Sequence, residues 1–103
     1  MFQLPERIPL QFTRSEGKYK PILSPNDGSK VTEIQLATES DIELILSETK
    51  AIQQKIANLK PYERAKILKE VAEAIRSQVD FYAKVIATEG GKPFKDAKAE
   101  AQR

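Results

Sequence analysis

The sequence contains no cysteine, no histidine and no tryptophan. Without cysteine there is no disulfide, no thiolate nucleophile and no thiolate metal site within these 103 residues. Without histidine the commonest general base and the commonest transition-metal ligand are missing. Glycine is scarce, at positions 17, 28, 90 and 91 only, so a glycine-rich phosphate cradle has nowhere to form. Gly90-Gly91-Lys92 superficially suggests a phosphate loop. That loop requires an earlier glycine and a Ser or Thr after the Lys, whereas Pro93 follows here. The pair of glycines reads instead as a helix stop. No apolar run reaches membrane-spanning length. The N-terminus, Met1 to Arg7, lacks the apolar core of a signal peptide, which points to a cytoplasmic address.

What is present fits a soluble, ordered chain of one domain at most, with 40% hydrophobic and 31% charged residues. Seventeen Lys and Arg face fifteen Asp and Glu, and the signs are interleaved, as in Glu63-Arg64 and Lys69-Glu70. That pattern describes solvated helix faces, not a stripe for nucleic acid. The acids fall at helix starts or beside Lys and Arg, where capping and i,i+4 pairing account for them. No catalytic acid, base or nucleophile is assigned.

Residues 1–18 read as an irregular arm, because Pro5 and Pro9 disfavour helix. Residues 19–103 read as a β-hairpin followed by three to four helices, a mainly α fold. Tyr19 to Ser24 and Val31 to Ala37 are the predicted strands, joined by the turn formers Ser24-Pro25-Asn26-Asp27-Gly28-Ser29. In the second strand Thr32, Ile34 and Leu36 alternate with Glu33 and Gln35, which predicts one buried face. The first helix starts near Thr38 to Ser40 on capping-box spacing, and Ile42, Ile45, Ile52, Ile56 and Leu59 form a stripe expected to face the core. Pro61 opens a second helix with a wide stripe, Ile67, Leu68, Val71, Ala72 and Ile75. Arg64, in its first turn, is expected to pair with an acid or a carbonyl. Ser77-x-x-Asp80 reads as a new cap before Phe81, Tyr82, Val85 and Ile86. The last helix, Pro93 to Arg103, has no stop signal. Glu89 stands out: an anion at a helix C-terminus opposes the macrodipole and calls for a cation, either Lys92 or a bound ion.

Four segments, in order, resemble the N-terminal region of the aldehyde dehydrogenases. Ser24-Pro25-Asn26-Asp27-Gly28 is similar to the family's N-P-x-T-G turn, with Ser24 for Asn and Asp27 for Thr. Ala37-Thr38-Glu39-Ser40-Asp41-Ile42 is similar to A-S-x-E-D-V. Glu63-Arg64 with Ile67-Leu68 resembles E-R-x-x-I-L, and Glu89-Gly90-Gly91-Lys92-Pro93 resembles E-T-G-K-P. The resemblance runs from about Lys20 to the end. It implies the start of an α/β cofactor domain, in an enzyme that oxidises an aldehyde with NAD or NADP through a cysteine thiohemiacetal. The catalytic and nucleotide-binding groups lie outside the matched region. The chain is therefore expected to be a truncated N-terminal fragment, inactive alone, whose uncovered second-helix stripe drives self-association into a homo-oligomer. A stand-alone helical interaction or oligomerisation module is the alternative. The resemblance also implies one ligand role: a monovalent cation held by backbone oxygens at Ile22 and Leu23 and by the acid at Glu89.

Overall fold

The computed structural model describes residues 2–11 and 17–103. Strands β1 (Arg7–Ile8), β2 (Tyr19–Leu23) and β3 (Lys30–Gln35) precede helices α1 (Glu39–Ala57), α2 (Pro61–Arg76), α3 (Val79–Gly90) and α4 (Phe94–Gln102). The fold is mainly helical, as the sequence implies.

The sheet has the order β1-β3-β2. β2 and β3 form the expected antiparallel hairpin, with a bulge at Ile22/Leu23. Its turn closes through Gly28 N–H to the Ser24 carbonyl at 2.9 Å, with Gly28 in the left-handed region at φ 73°. β1 is a correction to the irregular arm: Arg7 and Ile8 pair parallel to Glu33 and Ile34. The prolines limit the strand to two residues but do not prevent it.

The expected alternation along β3 sets its burial only in part. Thr32 and Gln35 are the buried residues, while Leu36 is exposed. The physical reason is the arm. Thr32 Oγ1 donates to the Pro5 carbonyl at 2.7 Å, and Gln35 Oε1 accepts from the Leu10 N–H at 3.0 Å. These polar side chains are covered because they satisfy the arm's backbone.

α1 is capped as expected. The Thr38 hydroxyl accepts from Asp41 N–H, and the Asp41 carboxylate accepts from Thr38 N–H at 2.8 Å. Pro61 begins α2, and Arg64 Nη1 donates to the Leu59 carbonyl at 3.0 Å, one of the two partner types expected for it. Ser77 does not cap α3. It ends α2, with its hydroxyl donating to the Ala74 carbonyl, and Gln78 occupies the N-cap of α3. α3 runs through Gly90 and is stopped by Gly91 alone, at φ 65°.

Among the described helices, the most extensive packing joins α3 and α4. Ala83 and Ala97 are fully buried there, and small side chains let two helices approach closely. Asp80 pairs with Lys98 at 2.8 Å, and Lys92 pairs with Glu100. The α1 stripe, by contrast, does not face a core. Ile42, Ile52 and Ile56 are each about half exposed, and α1 makes at most marginal contact with any other element. The α2 stripe is likewise open, Leu68 most of all, although α2 touches α3 and α4. The radius of gyration is 17.3 Å, against about 13 Å for a compact chain of this length.

Candidate functional site: the hairpin turn and the end of helix α3

The hairpin turn is built from its own side chains. Ser29 donates to Asp27 Oδ1 through its N–H at 3.0 Å and its hydroxyl at 2.7 Å. These bonds, with a weaker contribution from the Ser24 hydroxyl, hold the Asp27 carboxyl below the usual carboxylate range. Asp27 therefore shapes the turn. Pro25 and Asn26 at its tip lie directly against Gly91, where an added Cβ would come 2.7 Å from Pro25 Cγ. Only glycine meets both demands there, a left-handed φ and this close approach.

The hairpin and the C-terminus of α3 are therefore neighbours. Ile22 sits half-buried on β2, Leu23 is exposed beside the bulge, and Glu89 is exposed in the last turn of α3. The expected contact between Glu89 and Lys92 is not formed among the described residues, because Lys92 pairs with Glu100 of α4. No group of three or more Asp, Glu, His or Cys side chains gathers as a metal cage among the described residues. A cavity of about 480 Å³ lies between the arm and this corner, lined among others by Phe2, Glu6, Ser24, Asp27, Lys30 and Thr88.

Phe2 reaches across from the arm to α3, edge-on to Phe81 with ring centroids 5.7 Å apart. Arg7 pairs with Glu33 at 2.8 Å and lies over the Tyr19 ring at 4.8 Å. None of these arm contacts has a sequence signal. They join residues more than ten positions apart whose pairing no local pattern announces.

A hairpin strapped by an arm, followed by helices, is part of a chain about five times as long in the solved structures it matches. One is 3,6-anhydro-L-galactose dehydrogenase in complex with NAP: TM-score 0.80, 31% identity, covering 85% of this chain and 18% of that one. Another is aldehyde dehydrogenase 21 from Physcomitrella patens with the product succinate, at TM-score 0.88 and 22% identity. It covers 95% of this chain and 21% of that one, and at this identity shows the fold alone.

Residues 12–103 match the aldehyde dehydrogenase family, and the chain belongs to it. Among curated relatives, lactaldehyde dehydrogenase of Methanococcus maripaludis is 32% identical over 82 residues, 80% of this chain and 18% of that protein. 3,6-Anhydro-alpha-L-galactose dehydrogenase of Streptomyces coelicolor is 28% identical, over 80% of this chain and 17% of that protein. The chain thus spans about a fifth of the length of these relatives.

No helix among the described residues is long and apolar enough to cross a membrane.

Proposed function

We propose that these residues form the outer flank of the cofactor domain in an enzyme that oxidises an aldehyde with NAD or NADP, and that the 103 residues alone neither bind the nucleotide nor turn over an aldehyde. Family membership over residues 12–103 carries the reading. The absence of cysteine and histidine from the chain supports the second half, since neither a thiolate nor an imidazole can be supplied from within it. Titration calorimetry with NAD and with NADP, and absorbance of reduced nicotinamide with an aldehyde present, test it. Heat-silent titrations and a flat trace are expected. Micromolar nucleotide binding by the 103-residue chain would overturn it.

The corner between the hairpin and α3 has one ligand role in this reading, with Glu89 and the Ile22 and Leu23 carbonyls holding a monovalent cation. Three observations support it. Pro25 and Asn26 bring the hairpin to Gly91, Lys92 is engaged by Glu100 rather than Glu89, and the donors are all oxygens, which suit a hard cation. The measurement is the thermal midpoint in sodium, potassium and choline chlorides at equal ionic strength. The midpoint should rise with an alkali ion in the wild type and not in Glu89→Gln. An equal response in both proteins would remove Glu89 from the role.

A second reading is favoured by the exposed stripes of α1 and α2. In it the chain is a helical module that associates with further copies of itself, with no activity of its own.

A further inference from the structure

We propose that Asp27-Gly28 is a site of spontaneous aspartyl isomerisation, and that Ser29 guards it by holding the Asp27 side chain away from the reaction. The proposal is independent of the catalytic, cation and self-association readings. The chemistry is intramolecular. The Gly28 amide nitrogen attacks Asp27 Cγ and a C–N bond forms. The amide proton goes to solvent, and one carboxyl oxygen leaves as water. The product is a five-membered succinimide, which water then opens. Attack at Cγ restores aspartate. Attack at the main-chain carbonyl breaks the original peptide bond and leaves isoaspartate, with the chain routed through the former side chain. No reactant other than water is needed.

The sequence and the fold select this bond. Glycine is the one residue that sets no side chain beside the attacking nitrogen. Asp27 is the only aspartate or asparagine followed by glycine in the chain. The other aspartates, Asp41, Asp80 and Asp96, lie in the first turns of α1, α3 and α4, where regular helix fixes the amide that follows.

The folded turn opposes the reaction at both reacting groups. Gly28 N–H is committed to the Ser24 carbonyl at 2.9 Å. Asp27 Oδ1 accepts from the Ser29 N–H at 3.0 Å and from its hydroxyl at 2.7 Å. Ring closure needs an uncharged carboxyl that is free to rotate onto the nitrogen. Both Ser29 bonds favour the carboxylate and fix its direction, and the hydroxyl is the largest cause of the lowered Asp27 pKa. The reacting and restraining groups all belong to residues 24–29. Cover from the rest of a longer dehydrogenase chain would slow opening of the turn, but it would supply none of these groups. The consequence reaches α3. Isoaspartate adds a methylene to the main chain beside Asn26, and Pro25 and Asn26 lie against Gly91. Isomerisation therefore loosens the hairpin from the end of α3.

The test is incubation of the complete 103-residue chain at neutral pH, with peptide mapping by electron-transfer mass spectrometry to count isoaspartate. A synthetic peptide of residues 21–32 is the reference without the fold. The peptide should isomerise roughly tenfold faster than the chain, whose turn must open first. Ser29→Ala should speed the chain about fivefold, the equivalent of one hydrogen bond, and leave the peptide unchanged. Ser29→Thr, which keeps both donors, should behave as the wild type. If Ser29→Ala loses the fold, Ser29→Cys replaces it, and its weaker donor should still give a faster rate than the wild type. The isomerised fraction should exchange the Gly91 amide faster than fresh protein. Equal rates in chain and peptide overturn the proposal. So does a Ser29 variant without effect, or one that speeds the peptide equally. Isoaspartate accumulating first at Asp41, Asp80 or Asp96 also overturns it. A Ser29 effect that vanishes when the rest of the dehydrogenase is joined to the chain does so too, since the larger fold would then be the guard.

Discussion

Gly91 and Pro25 meet without room for a methyl group: a Cβ on Gly91 would lie 2.7 Å from Pro25 Cγ. Gly91 also holds φ 65°, a conformation costing an L-residue about 1–2 kcal/mol. Gly91→Ala should therefore destabilise the chain by about 2 kcal/mol or more, strain and displaced turn together. Gly90 is different. It lies inside α3, outside the left-handed region, with open space where a Cβ would go. Gly90→Ala should be neutral or stabilising by up to about 1 kcal/mol. Chemical denaturation of the two variants checks the contrast, and equal losses would contradict it.

The local features of this region were legible in the sequence, because capping and turns are decided by neighbours in the chain. Thr38-x-x-Asp41 announces the start of α1, Pro61 the start of α2, and Ser24 to Ser29 the hairpin. Which of two adjacent glycines stops α3 was not legible, since the hairpin turn makes the decision from across the fold. Burial was read least well. The stripes of α1 and α2 are amphipathic whether or not a partner is present, so periodicity located the helices but could not say that, within these residues, no core meets α1. The alternation in β3 held at Thr32 and failed at its far end: Leu36 is exposed, and Gln35, on the other face, is buried by hydrogen bonding to an arm 25 residues away. At the candidate site, the hairpin turn and Gly91 are adjacent, which the cation role implied by the resemblance requires and which no local pattern in the sequence announces. The pairing of Lys92 with Glu100 had no local signature.

Thr32→Val should loosen the arm. The hydroxyl is buried and donates to the Pro5 carbonyl at 2.7 Å. Its loss leaves that carbonyl short of a donor, at about 1–3 kcal/mol. Hydrogen exchange should quicken at the amides joining residues 6–8 to β3, with α3 and α4 unaffected. Uniform quickening throughout the chain would show instead that the arm is integral to the whole fold.

Without a partner, α1 obeys the rules of a nearly isolated helix. Its 19 residues are near the length at which such helices become marginal in water. The reciprocal bonds between Thr38 and Asp41 therefore matter more than they would in a packed helix. Thr38→Ala should cost about 1 kcal/mol of helix stability and lower helical content at dilute, monomeric concentration. Residues 39–57 should exchange their amide hydrogens faster than α3 or α4. Slow exchange there in a monomer would mean that α1 is held by contacts other than its cap.

Acid should act on this chain through a few surface pairs, and neutral pH should not act on it at all. With no histidine, no side chain at its ordinary pKa titrates between about pH 5 and 8, so the thermal midpoint should be flat across that range. Below it, Glu33, held under the usual carboxylate range by its hydrogen bond to Arg7, begins to matter. Asp80 beside Lys98 and Glu100 beside Lys92 are shifted the same way, as is Asp27 within its turn. A carboxyl with a lower pKa folded than unfolded binds fewer protons in the native state. Its stabilisation is complete above the unfolded pKa and disappears as pH falls through the folded one. The midpoint should thus decline only below about pH 5, where unfolded carboxyls begin to protonate. Arg7 is shifted upward by the same contact, and its contribution would be lost only at alkaline pH beyond the range of the experiment. Carboxyl titration by NMR separates Glu33 from the rest. In Arg7→Met its pKa should return toward the ordinary glutamate value while Asp27, Asp80 and Glu100 keep theirs. A Glu33 titration unchanged in that variant would mean that the Arg7–Glu33 pair, 2.8 Å apart and at the surface, is not populated in solution.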